Sequence, residues 1–266
     1  MITPSITIER IKEYLKEGKR FDGRKLDEFR EIFIETDISK KAEGSARVKL
    51  GKTEVLVGVK MNVETPYPDS PDSGNLVASV ELSPMSSDRF ELGPPKIEAI
   101  ELARIVDRGI RESGVIDLKK LCIKEGEKVW TVYIDIYSIN ADGNLLDASA
   151  IGALVALKNA KIPKYDEKEE KVLFGEWTNK KVPLKNDSIL SCTIHKIGDK
   201  FILDPTVEEE DASDTRITIA LAKDGSIHAL QKGGENEITS EELFSVLDLA
   251  EKNYKSLYPK IEEAIK

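Results

Sequence analysis

The chain has 266 residues, 40% hydrophobic and 33% charged, with a formal net charge of −9. That length supports one large domain or two small ones packed together, and the apolar fraction is enough for a core. A bulk-acidic chain has no general attraction for nucleic acid, so any contact with RNA must come from a local basic stripe.

In chain order, Pro4 to Glu17 reads as a helix, with Ile8, Ile11 and Leu15 at helical spacing and Gly18 ending it. A charged turn, Arg20 to Lys25, closes an N-terminal arm over residues 1–25. Strands follow at Glu31 to Ile38, Ser45 to Leu50, Thr53 to Met61 and Asn75 to Leu82, the middle pair forming a hairpin around Gly51-Lys52. The stretch Pro66 to Gly74 is an exposed loop. A helix starts after Gly93-Pro94-Pro95 and runs to Ser113, with Gly114 as its stop. Lys128 to Asn140 alternates and reads as a long strand. Leu145 to Ala160 is an apolar helix, and residues 26–163 form the first half of the chain.

Residues 164–187 are polar and rich in Lys and Glu, and read as a connection. The second half, 188–266, carries strands near Ile189 to Ile197, Lys200 to Asp204, Arg216 to Ala222 and Ser226 to Gln231, with hairpin turns at Gly198-Asp199 and Asp224-Gly225. An amphipathic helix from Thr239 to about Ile265 ends it. Strands followed by helices in each half indicate an α+β fold.

Arg104, Arg108 and Arg111 fall within about 60° of one another on the helix that follows Pro95. Ala99, Leu102, Ala103, Val106 and Ile110 cluster on the opposite side, which is the expected core face. The stripe is either a solvated face, with Glu101 paired to Arg104 and Arg108, or a strip for consecutive phosphates of single-stranded RNA. Cys122 and Cys192 match no metal spacing and read as buried thiols. His195 and His228 have no neighbouring ligand and read as structural. The run Glu208 to Asp211 reads as an acidic turn rather than a metal site, since a linear run shows no convergence of oxygens. No cofactor or metal is expected. No basic start with an apolar run opens the chain, and no stretch is apolar enough to span a bilayer, so a soluble cytoplasmic chain without a membrane partner is expected.

Several stretches together resemble the RNase PH family. These are Phe21-Asp22-Gly23-Arg24, Asn140-Ala141-Asp142-Gly143 with the following Asp147-Ala148-Ser149, and Leu203 to Glu210. Glu101 to Arg108, Gly93-Pro94-Pro95 and Val129 to Val132 resemble the non-catalytic branch found in archaeal exosomes. The resemblance implies a ribosomal-protein-S5-like fold of two ββαβα-type halves. It also implies a hexameric ring, a trimer of heterodimers with an active RNase PH-like subunit, together with RNA-binding cap subunits. In that ring inorganic phosphate attacks the 3′-terminal linkage of the RNA. Arg104 and Arg108 match the family's RNA contacts, and Arg111 extends them by helical geometry.

Active members follow Ala-Asp-Gly with Gly-Thr-Arg, which cradles the phosphate. Here Asn144, Leu145 and Leu146 stand in those positions. The two acidic residues that active members carry six apart correspond to Glu210 and Arg216, and their Arg-Arg pair to Lys96 and Ile97. The resemblance therefore implies a silent chain. Two other readings stay open at this point, an active phosphorolytic nuclease and a monomeric RNA- or ribosome-associated protein on the same fold.

Overall fold

Alternating apolar residues bounded by turns build two sheets, and two helices fill the space between them. The computed structural model describes residues 3–185 and 189–265. In chain order the elements are α1 (Ser5–Lys16), β1 (Ile32–Thr36), β2 (Gly44–Leu50), β3 (Thr53–Glu64), β4 (Asn75–Leu82) and α2 (Ile97–Ser113). A 3-10 turn (Leu118–Leu121) leads into β5 (Cys122–Lys124), β6 (Lys128–Asn140) and α3 (Leu145–Asn159). There follow β7 (Lys161–Asp166), β8 (Lys171–Lys181), β9 (Ile189–Ile197), β10 (Lys200–Leu203), α4 (Val207–Asp211), β11 (Thr215–Ala222), β12 (Ile227–Gly233) and α5 (Ser240–Ile265).

The first sheet has the order β1-β2-β3-β6-β4, with β5 added to β6; β4 runs parallel to β6 and the other pairs are antiparallel. The second is antiparallel in the order β10-β9-β11-β12. Helix α3 packs on β2 and β3 with one side and on β9 with the other. It is apolar nearly all round, as a helix between two sheets must be, and Ile151 and Ala153 to Leu157 are all buried. The second half carries one strand more than a plain ββαβα order, because β11 and β12 form a hairpin before α5.

Three features differ from expectation. The polar connection is itself a hairpin, β7 paired with β8; its end near Asp187 lies outside the described residues. The acidic run is the short helix α4, begun by a capping box between Thr206 and Glu209. Finally, α2 buries Ile105 and Gly109 as well as Ala99, Leu102, Val106 and Ile110. It contacts β4 on one side and β9, β11 and β12 on the other. A helix wedged between two sheets has two buried faces, so its arginines emerge along a seam rather than on an open surface.

Candidate nucleic-acid interface and the adjoining cleft

Three sequence motifs converge on one buried carboxylate. Asp204, fully buried, accepts hydrogen bonds from Arg24 Nη1 at 2.9 Å, Arg30 Nε at 2.8 Å and Nη2 at 2.7 Å, and Asn144 Nδ2 at 3.0 Å. Arg20 donates to the backbone carbonyls of Leu203 and Asp204 and pairs with Glu209. Buried charges survive only when paired and hydrogen-bonded, so these contacts lock the N-terminal arm to the turn that precedes α4. Gly143 completes the junction. Its φ is +84°, and a Cβ there would lie 2.4 Å from the carbonyl oxygen of Pro205.

Gly143 also lines an adjoining cleft of about 760 Å³. Leu145 and Leu146 line it, with Glu210, His195, Arg216, Lys96 and Glu101. The first turn of α3 lies here, where exposed N–H groups favour an anion. That place is filled from within, because Glu210 Oε1 accepts the backbone N–H of Asn144 at 2.7 Å. Burial pushes the Glu210 carboxyl up to about 7, against the opposing pull of that N–H and of Arg216 and Arg30. Asp147, in the same turn, is likewise raised to about 7 by burial although Thr193 and Asn144 donate to it. His195 is lowered to about 3, first by burial and then by Arg216. It is held through Nδ1 and Ser213 Oγ at 3.0 Å, and it is neutral near pH 7. No side chain at positions 144–146 supplies a cation or a hydroxyl to an incoming phosphate.

On the far side of Glu101 lies a second groove, about 380 Å³, between α2 and the β11–β12 hairpin. Arg104 and Arg108 border it, over an apolar lining that includes Ile97, Ile100 and Leu230. Arg104 is exposed, and among the described residues no ion pair reaches it. Arg108 makes one long contact, Nη1 to Gln231 Oε1 at 3.4 Å. Arg111 is engaged with Asp107, at 2.9 Å from Nε and 2.6 Å from Nη2, and also donates to the carbonyl of Leu76. The expected pairing of Glu101 with Arg104 and Arg108 does not form. Glu101 Oε2 instead meets Arg216 Nη2 at 2.7 Å, because α2 packs close enough to β11 for a cross-element bridge.

Sequence reasoning missed Arg30, Asp204 as a hub, and the Glu101–Arg216 bridge. A signal existed for Asp204, since the Asp-Gly-Arg and Leu-Asp-Pro motifs carry opposite charges that must be matched once buried; Arg30 lies outside both motifs. His228 sits at the surface beside Ser226. Cys192 is buried, with a thiol raised well above its ordinary range by burial, whereas Cys122 is only half-buried.

This arrangement, two sheets enclosing two helices with an anion site at the start of α3, defines a class. The chain belongs to the 3′ exoribonuclease family of RNase PH proteins: domain 1 of that family matches residues 28–163 and domain 2 matches residues 187–253. Among its relatives, the exosome complex component Rrp42 of Methanocella arvoryzae is 46% identical over 92% of both chains. The exosome complex component Rrp42 of Thermococcus onnurineus is 45% identical over 99% of this chain and 97% of the relative. A solved structure described as the Archaeoglobus fulgidus exosome with RNA bound to the active site contains a chain 43% identical to this one. The match has a TM-score of 0.88 and covers 96% of this chain and 98% of that one. No described helix is long and apolar enough to cross a membrane.

Proposed function

We propose that this chain is a non-catalytic ring subunit of an archaeal-type exosome in the cytoplasm. It joins an active RNase PH-like subunit in a trimer of heterodimers under RNA-binding cap subunits. It contributes to 3′-to-5′ phosphorolysis by holding RNA phosphates, not by cleaving.

The observation that carries the silent half is the filled anion place, where Glu210 takes the Asn144 N–H and Leu145 and Leu146 line the wall. A phosphate would have to displace a half-buried carboxyl, and it would lose hydrogen bonds to charged groups worth about 1.5 to 3 kcal/mol each. Arg216, opposite in sign to the acid that active members carry, is unsuited to general-acid or metal-binding work. The relatives' role as exosome components supports the assembly.

The RNA half rests on Arg104 and Arg108. A guanidinium without a carboxylate partner matches phosphate oxygens, and contacts to backbone phosphates imply weak sequence preference. Arg111, spent on Asp107, contributes to shaping the seam. The test is the double variant Arg104→Ala/Arg108→Ala, assembled with the active subunit. Degradation of oligo(A) is expected to slow about tenfold or more while the ring forms normally. Unchanged degradation would show that the two arginines are only a solvated face.

A further inference from the structure

Within the RNA-holding role proposed above, we infer that Arg216 is a positioning residue: it draws Glu101 away from the stripe and so leaves Arg104 free for an RNA phosphate.

On an isolated helix, Glu101 would pair with Arg104 three residues on. In the folded chain Glu101 Oε2 lies 2.7 Å from Arg216 Nη2 instead. The other acid beside the stripe, Asp107, is similarly occupied by Arg111 at 2.6 Å. Each carboxylate next to Arg104 on its helix is thus held by a different arginine.

The sheet is arranged to seat this guanidinium. Arg216 in β11 stands opposite Gly233 in β12 and His195 in β9. A Cβ at position 233 would lie 2.1 Å from Arg216 Nη1 and 2.7 Å from Cζ. Gly233 has no positive φ, so it is needed for space and not for backbone conformation. His195 is neutral near pH 7 and does not repel the guanidinium. The other acid near Arg216, Glu210, is bonded to Asn144 N. Glu101 is therefore the carboxylate that Arg216 pairs with.

The bridge also fixes the helix. Gly233 and Gln231 lie two residues apart on one face of β12. Arg216 over Gly233 holds Glu101, and Gln231 meets Arg108. The two attachments are seven residues apart on α2, roughly 10 Å along its axis, and Arg104 lies between them.

The experiment measures single-stranded oligo(A) affinity of the assembled complex against salt for wild type, Arg216→Met, Gly233→Ala and Glu101→Gln, and for each of the first two variants combined with Glu101→Gln. Methionine keeps the apolar stem, and Gly233→Ala dislodges the guanidinium without removing it. Each is expected to weaken binding about five- to tenfold at low salt and to make the slope of log K against log salt shallower by ~0.7, one phosphate contact on a single strand. Adding Glu101→Gln is expected to restore affinity to within about twofold in both backgrounds, since no acid then competes for Arg104. Glu101→Gln alone is expected to bind at least as well as wild type. Wild-type affinity in Arg216→Met and Gly233→Ala, failure of Glu101→Gln to rescue either, or a loss in Glu101→Gln alone would each overturn the inference. Loss of binding in Arg104→Ala is the separate control on the RNA role. If that variant binds normally, the RNA role itself fails and this inference with it.

Discussion

Glu210 Oε1 accepts the backbone N–H of Asn144 at 2.7 Å, so a side chain from α4 occupies the start of α3. The resemblance to active members implies a phosphate at that helix start. Here the chain's own Glu210 carboxyl takes that place, and the neighbouring Leu145 and Leu146 offer only apolar surface.

The first consequence is a pH signature. Burial raises Glu210 to about 7 from the ordinary 4.5. The native carboxyl keeps its proton to higher pH than the unfolded one, so its ionisation costs stability as pH rises from about 4.5 to about 7. Asp147 acts in the same direction, and His195 in the opposite one, since its charging is blocked in the native state down to about 3. Comparing Glu210→Gln with wild type cancels those two. The variant is expected to gain about 3 kcal/mol on wild type between pH 4.5 and pH 8, read by denaturant unfolding at each pH. A pH-independent difference would show that Glu210 is not held in this way.

A second expectation concerns the hub. Asp204→Ala removes the carboxylate that Arg24 and Arg30, both largely buried, share, and leaves Arg24 only Asp22 at 2.7 Å and Arg30 only Asp142 at 3.6 Å. Breaking a buried pair from one side costs about 3 to 5 kcal/mol. The denaturation midpoint should fall accordingly, and limited proteolysis should cut the arm around Arg20 to Lys25 before the rest.

A third concerns Gly143. Alanine there must adopt φ of +84° and meet the Pro205 carbonyl at 2.4 Å. The strain and the overlap together are expected to cost about 2 to 6 kcal/mol. Gly198→Ala serves as the control, because its added Cβ meets no atom within 4 Å and its cost is backbone strain alone. Equal melting shifts for the two variants would show that the close approach to Pro205 carries no weight.

Much of the fold was legible locally. Asn75–Leu82, Lys128–Asn140 and Ile189–Ile197 match the strands read from the sequence. Gly114, at φ +59°, ends α2 where a glycine stop was expected. The β7–β8 hairpin was not legible, because its Lys- and Glu-rich strands are held by pairing with each other and not by a buried face with a clear period. The seam was half legible. Arg104, Arg108 and Arg111 share one side of α2 by spacing alone, but Arg216 is 115 positions from Glu101, and no local pattern records that they meet. Helical periodicity assigned Glu101 to its nearest arginines, and tertiary packing reassigned it.

A fourth expectation follows from the open guanidinium of Arg104. Arg104→Ala and Arg108→Ala should each make the salt slope of oligo(A) binding shallower by ~0.7 in the assembled ring. They should weaken all RNA sequences alike, because backbone phosphates are the targets. A change in sequence preference, seen by comparing oligo(A) with oligo(U), would point to base contacts instead.

The most direct test of a silent, RNA-positioning subunit is phosphate-dependent release of nucleoside diphosphates from oligo(A), measured for this chain alone and after mixing with an RNase PH-like partner that keeps the Gly-Thr-Arg motif. No release from the chain alone, and release from the mixture well above that of the partner alone, is the predicted result. Robust release from this chain alone, abolished by Glu210→Gln, would contradict it.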